Sequence, residues 1–348
     1  MDPQTRQHGE ASVGPFRIAT GPTVRDRVVQ TALVHVIEPI FDATFHDHSF
    51  GFRRGRGCHD ALRRVEELLD AGYVYVVDAD LKSYFDTIPK DGLMDLIKAQ
   101  ISDSSVLKLI QLFLDQSIME ELTEWTPEAG VPQGAVLSPV LSNVYLNPLD
   151  HLMAEKGFEM VRYADDFVIL CRSEFAAEAA LEEIREWVAA NGLALHPTKT
   201  QVVDSRETSF SFLGYSFRGR LRFPRAKSHR KMMDRINELT PRKSGQSLEV
   251  ILQRINPVSQ GWFNYFRHCT WNIFDAYDTR VRKRLRRMLL KRHRRNRTRQ
   301  SRTVRWPNAY FTNHGFRSLR EAHSRFVQSL EGNLLTGEPY AGKPHVRF

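Results

Sequence analysis

The sequence is poor in the residues that staple small or exported domains. Its 348 residues include three cysteines, Cys58, Cys171 and Cys269, far apart and with no CxxC pair. That argues against a disulfide scaffold or a zinc ribbon and fits a reducing compartment. No apolar run is long enough to span a bilayer. The opening stretch, "MDPQTRQHGEASVGPF", lacks the apolar core of a signal peptide, so a cytoplasmic location is expected. No internal repeat is visible. Acidic residues are missing altogether between Asp278 and Glu321.

That last gap exposes a strong asymmetry behind the net charge of +9. Residues 279–348 hold 19 Lys/Arg against 3 Asp/Glu, or +16, which leaves 31 against 38, or −7, for residues 1–278. A solvated helix face normally carries both signs, and a membrane-surface helix carries more aromatics. The run "RVRKRLRRMLLKRHRRNRTRQSRTVR" therefore points to a polyphosphate partner whose binding depends on salt.

Apolar residues at helical spacing predict a helix over "VRDRVVQTALVHVIEPI", ending near Pro39, and a second over "CHDALRRVEELLD" stopped by Gly72. "YVYVVDADL" reads as a buried strand ending in acids. Helical patterns follow through 90–120. "GVPQGAVLSPVLSNVYL" reads as a Gly/Pro loop and a new helix, with Ser138 as N-cap and Pro139 as its first residue. "MVRY" and "FVILC" are strands around Asp165 and Asp166, and "EFAAEAALEEIREWVAANG" is a helix closed by Asn-Gly. "LALHPTKTQVV" and "FSFLGYSF" give short strands, and the pattern is helical from about residue 225. The fold class is α+β with an antiparallel sheet, followed by a basic helical domain.

The pair "DD" within "MVRYADDFVIL" has two readings, a polar hairpin turn or a cation site. Asp80 at the end of one strand, with Asp165 and Asp166 between two others, would converge at one sheet end if these strands are neighbours. Convergent carboxylates without cationic partners suit a hard divalent ion such as Mg²⁺, and two such ions suit in-line phosphoryl transfer.

"VVDADLKSYFDTI", "GVPQGAVLSPVLSNVYL" and "YADD" together resemble the reverse transcriptases, and more closely those encoded by bacterial group II introns. "PTVRDRVVQ", "SFGFRRGRGCHDAL", "LHPTKT" and "FLGYSF" follow in the family's order, and "INPVSQGWFNYFR" resembles its maturase-type thumb, domain X. The resemblance covers roughly residues 17–325. It implies right-hand polymerase fingers and palm over 17–220, a thumb with a basic RNA-binding helix over 225–330, and flanking segments 1–16 and 331–348. It implies an RNA-directed DNA polymerase and maturase that acts with two Mg²⁺ ions, for which Mn²⁺ can substitute. Its partners would be intron RNA as template, a DNA primer or target and dNTPs, with no membrane; a homodimer stays open.

Carried over residue by residue, the resemblance makes Asp80, Asp165 and Asp166 the catalytic metal ligands, joined by the Leu81 backbone carbonyl. Asp78 and Asp86 are nearby decoys. Phe85 matches the gate that rejects a ribose 2′-OH, against the reading of an ordinary core Phe. Gln133 and Gly134 match the "PQG" loop at the template and incoming nucleotide, and Arg17 matches the finger residue that holds the triphosphate. The family commonly has Pro-Leu after that Arg, where this chain has Ile18-Ala19. Lys199 matches a lysine near the leaving pyrophosphate, or is simply a solvated turn residue. Tyr163 would pack beneath the primer end. Phe212, Leu213, Gly214 and Tyr215 match the primer grip, or form an edge strand. In the thumb, Trp262, Tyr265 and Phe266 read as core. A stripe of Phe274, Tyr277, Val281, Leu285, Met288 and Leu289 leaves Arg280, Lys283, Arg284, Arg287 and Lys291, with Arg294 and Arg295 beyond, to face RNA.

The family usually begins several dozen residues earlier, and many relatives end in a zinc-binding endonuclease that the missing Cys pairs exclude here. Two other readings follow: a catalytically impaired RNA-binding maturase or truncated fragment, and a domesticated or defence-associated reverse transcriptase.

Overall fold

The computed structural model describes residues 22–115, 118–120, 123–125, 129–132, 134–241, 243–292 and 304–336. Arg17, Gln133, Arg294 and Arg295 lie outside the described residues. The chain divides into two compact units, Met1–Leu213 and Gly214–Phe348.

The first unit contains helices α1 (Val24–Asp42), α2 (Cys58–Asp70), α3 (Tyr84–Thr87), α4 (Lys90–Lys98), α5 (Ser104–Leu114), α6 (Ser138–Glu155) and α7 (Glu174–Ala190). Its strands are β1 (Tyr75–Asp80), β2 (Ile118–Glu120), β3 (Thr123–Trp125), β4 (Glu159–Tyr163), β5 (Asp166–Cys171), β6 (Gln201–Asp204) and β7 (Phe210–Phe212). A four-stranded sheet runs in the order β4-β5-β1-β6, and its pairs are antiparallel. The α+β class with an antiparallel sheet is as expected.

Both faces of this sheet are covered, which is why β1 and β5 read as nearly unbroken apolar runs. Val77, Ala79, Leu81, Met160, Phe167, Ile169 and Cys171 join the main core with residues of α1 and α4 to α7. The alternate residues Val76, Val161, Val168 and Leu170 are also buried, on the face packed by α2. Asp78, Asp80 and Asp166 belong to this second set.

Four sequence expectations shift. Pro39 sits in the last turn of α1, which runs on to Asp42 instead of stopping at the proline. The helical reading of 90–120 overruns, because Ile118–Glu120 pairs with Thr123–Trp125 as a hairpin. Ser138 is the first residue of α6 after Leu137, with Pro139 second; its hydroxyl donates to the Pro132 carbonyl at 2.6 Å. "FSFLGYSF" breaks in two at Leu213 and Gly214, both left-handed, with φ 47° and 78°.

The second unit starts with the hairpin β8 (Tyr215–Arg218) and β9 (Leu221–Pro224). It continues as α8 (Ala226–Leu239), α9 (Leu248–Phe266), α10 (Trp271–Arg292), α11 (Asn308–Asn313) and α12 (Leu319–Thr336). The division at 213/214, earlier than the expected 220–225, follows from packing: Tyr215 donates to the Tyr265 carbonyl, and Thr270 N–H donates to the Arg222 carbonyl at 3.1 Å. Of the three residues expected as core in "GWFNYFR", Phe266 is buried, while Trp262 and Tyr265 are only half-buried. Trp262 stacks on Tyr277 at 5.8 Å between centroids, and Phe263 meets Phe274 edge-on at 5.2 Å. All six apolar residues named for α10 are buried. Among the described residues no helix is long and apolar enough to cross a membrane.

Arg284 is put to a structural use. Its Nε donates to Thr240 Oγ1 at 2.6 Å and its Nη2 to the carbonyls of Asn237 and Thr240, each at 3.1 Å. Both carbonyls lie at the C-terminal end of α8, where a cation also meets the negative end of the helix dipole. Arg284→Ala is expected to lower the stability of this unit by about 1–2 kcal/mol, read as a lower urea midpoint.

Candidate functional site

The site begins with strand register. Asp80 at the end of β1 lies directly opposite Asp166 at the start of β5, and Asp166 lies opposite Tyr163 at the end of β4. Ala164 and Asp165 form the two-residue turn between them, with Ala164 left-handed at φ 60°. A non-glycine residue there is strained and persists only when its surroundings hold it. The sheet therefore brings Asp80, Asp165 and Asp166 together at one end.

Burial and mutual repulsion set their electrostatics. The Asp166 carboxyl is pushed up to about 6, first by burial and then by Asp78, Asp165 and Asp80, against one stabilising bond from Leu213 N–H at 3.4 Å. Burial and then Asp80 also raise Asp165 above the ordinary carboxylate range. Lys199 Nζ lies 2.5 Å from Asp80 Oδ2, so this lysine meets the first carboxylate directly. Leu81 faces Leu195 in a bridge whose bonds come from the flanking residues, Lys82 N–H to the Ala194 carbonyl and His196 N–H to the Asp80 carbonyl. Among the described residues no group of three or more His, Cys, Asp or Glu is gathered closely enough to hold a metal ion. The donor set is nevertheless all oxygen and short of positive charge, which fits a hard divalent ion.

Around this end of the sheet, Phe85 is partly buried with its ring 5.5 Å from Tyr84. The loop before Gly134 is pinned beside it: Val131 N–H donates to the Phe85 carbonyl at 2.7 Å and Gly130 N–H to the Ile88 carbonyl at 2.8 Å. Gly130 has φ 99°, and a Cβ there would lie 2.9 Å from the Asp86 carbonyl oxygen, so only glycine fits. Gly134 is exposed. Phe212 is buried and Leu213 reaches Asp166, whereas Gly214 and Tyr215 belong to the second unit, where Tyr215 is core. The expected primer-grip quartet is thus divided.

Sequence reading missed the side chains that hold the turn. Arg162 is completely buried and donates to Asp150 at 2.7 and 2.5 Å, and to Asn143 Oδ1 and the Ala164 carbonyl at 2.9 Å each. Asn143 donates in turn to the Gly51 carbonyl at 2.7 Å, and a Cβ on Gly51 would lie 2.2 Å from Ala164 N. Gln30, also buried, accepts from Val136 N–H at 2.8 Å and so ties the chain just after Gly134 to α1. The one available signal was polar residues inside an apolar helix, "VLSNVYLNPLD".

Residues 6–217 match the family described as reverse transcriptase (RNA-dependent DNA polymerase), and residues 229–306 match the group II intron maturase-specific domain. The chain belongs to the reverse transcriptase family. It is 31% identical over 252 residues to Protein YkfC of Escherichia coli, covering 61% of this chain and 66% of that one. It is 36% identical over 134 residues to the group II intron-encoded protein LtrA of Lactococcus lactis, covering 38% and 22%. The chain thus spans about two thirds of one relative and a fifth of the other. Among solved structures it is similar to apo telomerase from Candida tropicalis, with a TM-score of 0.48 and 12% identity over 88% of this chain and 53% of that one.

Two outcomes follow from this geometry. Asp150→Ala leaves Arg162 charged and unpaired in the core, so it is expected to cost about 3–5 kcal/mol in denaturant unfolding. The folded state holds the Asp166 proton more tightly than the unfolded chain does, so this group favours the fold at low pH and loses that contribution as pH rises through about 6. In EDTA, Asp166→Asn should therefore exceed the parent by about 3 kcal/mol at pH 8 and converge with it below pH 4.

Proposed function

We propose that this chain is an RNA-directed DNA polymerase of the group II intron type, which extends a DNA primer on an RNA template and binds intron RNA to assist splicing. The observation that carries the reading is the register that sets Asp80 against Asp166 with Asp165 in the adjoining turn. Family membership and the maturase-specific match support it. Mg²⁺, held by Asp80, Asp165 and Asp166 with the Leu81 carbonyl nearby, would supply the positive charge for in-line displacement at a phosphate. Mn²⁺, another oxygen-binding divalent ion, would substitute.

The chain's own residues do the rest. The raised carboxyl of Asp166 must lose its proton before it can hold a cation, so cation binding there weakens as pH falls. Lys199 stands on Asp80, where an ammonium can neutralise charge developing on a leaving pyrophosphate. Phe85, partly exposed beside the pinned loop, would exclude a ribose 2′-OH, and Tyr163 beside the turn would pack under the primer end.

In the thumb, Arg280, Lys283, Arg287 and Lys291 are exposed on α10 at spacings of three and four, so they form one stripe opposite its buried residues. Such a stripe grips phosphates without reading sequence, which suits intron RNA. Arg284 is not counted with them, since it is held by α8.

The intact carboxylates favour a polymerase over a decayed RNA-binding maturase. With purified protein, an RNA template, a DNA primer and Mg²⁺, the parent should extend the primer. Asp165→Ala should lower extension at least 1,000-fold, roughly 4 kcal/mol of barrier, while RNA affinity stays within about two-fold. Extension that survives the substitution would refute the metal assignment, and a parent that binds RNA tightly but never extends would favour the maturase alternative.

A further inference from the structure

Phe52 is an anomaly beside the carboxylate turn. It is an aromatic residue with φ 58°, in the left-handed region that bulky side chains avoid, and it is 45% exposed. The backbone on both sides of it is fixed. Before it, Arg162 N–H donates to the His48 carbonyl at 3.0 Å and Phe50 N–H to the Arg162 carbonyl at 2.9 Å, so residues 48–50 run as a short parallel addition to β4. Gly51 lies flat on the turn, where the missing Cβ makes room for Ala164 N.

After it, the buried Arg53 guanidinium donates to Asp42 Oδ1 at 2.6 Å and to the carbonyls of Asp42, His46 and Ser49 at 2.7–3.1 Å. These anchors force the Phe52 backbone into its strained conformation, and they would do the same for an asparagine or glycine at lower cost. The residue is no core anchor, since nearly half of its surface is exposed. Its exposure calls for a use outside the fold.

Position supplies that use. Asp80, Asp166 and Tyr163 are successive cross-strand partners on one sheet face, and the Phe52 ring continues the row with its centroid 6.5 Å from that of Tyr163. Two strand spacings and one ring contact put Phe52 roughly 15 Å from Asp80, within the reach of a single bound duplex. The next residue but one, Arg54, is exposed and adds a cation at the same edge, although it is shared with Glu38 at 3.0 Å. An exposed aromatic beside a cation, in line with the primer-end tyrosine, is the composition of a sequence-tolerant nucleic-acid contact.

We propose that Phe52 extends the Tyr163 platform and packs against the primer–template duplex just behind the primer end, holding the duplex in register with the carboxylates. This rests on the polymerase reading of the same site. It assigns Phe52 a role in positioning the duplex, separate from metal and nucleotide binding.

The test uses the full chain and an RNA template annealed to a labelled DNA primer ending in a dideoxynucleotide. Equilibrium affinity is read by anisotropy, stability by thermal unfolding, and steady-state extension on the matching unblocked primer. Phe52→Ala should weaken duplex binding about 5- to 20-fold and raise KM for primer–template by a similar factor, with kcat much less affected. Phe52→Tyr should bind within about two-fold of the parent. Phe52→Asn, which accepts a left-handed backbone, should unfold no earlier than the parent yet bind as weakly as Phe52→Ala.

The proposal is overturned if Phe52→Ala binds the duplex as tightly as the parent. It is also overturned if Phe52→Asn and Phe52→Ala lose affinity only in step with a fall in unfolding temperature, since Phe52 would then be structural. A parent that binds no duplex and extends no primer overturns the polymerase reading itself, and this inference with it, whereas the first two outcomes leave that reading intact.

Discussion

The first unit depends on a charge placed where charges are costly. Arg162 sits on a central apolar layer with no exposed surface, and only its full set of acceptors makes that tolerable. Asp150 takes two of its donors from α6, and the Ala164 carbonyl takes another from the turn itself. A bidentate arginine–carboxylate pair has strict geometry, so it ties a helix to a hairpin at one angle. Replacing it with apolar residues could fill the space as well. It could not supply a donor to a strained turn, and that is the function which explains a buried ion pair here.

The carboxylates depend on that rigidity. Asp165 and Asp166 are pressed together next to Asp80, which raises the cost of ionising both, and Asp165 adds to that cost at Asp166. A flexible hairpin would relax by turning one acid out to water. Arg162 beneath the turn and Gly51 against its backbone close that route. The repulsion is therefore stored in the protein and becomes available to any cation that binds. Lys199 offsets part of it at Asp80, while Arg162 and the Leu213 N–H offset only part of it at Asp165 and Asp166.

The layout of the site was legible in the letters, because strand burial and acid placement have a period of two that survives in sequence. β1, β4 and β5 appear where the apolar runs stop, and the register puts Asp80 against Asp166 as the argument from neighbouring strands required. What was not legible came from long-range packing. An arginine inside a strand reads as a solvent-facing residue, and nothing local to "VRYADD" says that an aspartate twelve positions earlier reaches it. The residues after Leu114 scan as helix because short hairpins lack the length for a clear alternation. Ser138 looks like a cap but spends its hydroxyl on the Pro132 carbonyl, a contact set by the loop's path.

The thumb shows how far charge counting can go. Its arginine-rich helix α10 was read as one face of core and one of cation, and the core side is as expected. The cations, however, divide by the neighbours each one meets. Lys283 and Arg287 are exposed, while others on the same helix are drawn into the structure. Arg284 closes the carbonyl end of α8, Arg286 donates to the Trp306 carbonyl and Asn308, and Arg282 lies buried over the Phe316 ring. A guanidinium close to backbone carbonyls that would otherwise lose their water is claimed by packing first. Net charge thus overstates the phosphate-binding capacity of such a helix, and the acceptors each arginine finds within the fold decide which ones remain for RNA.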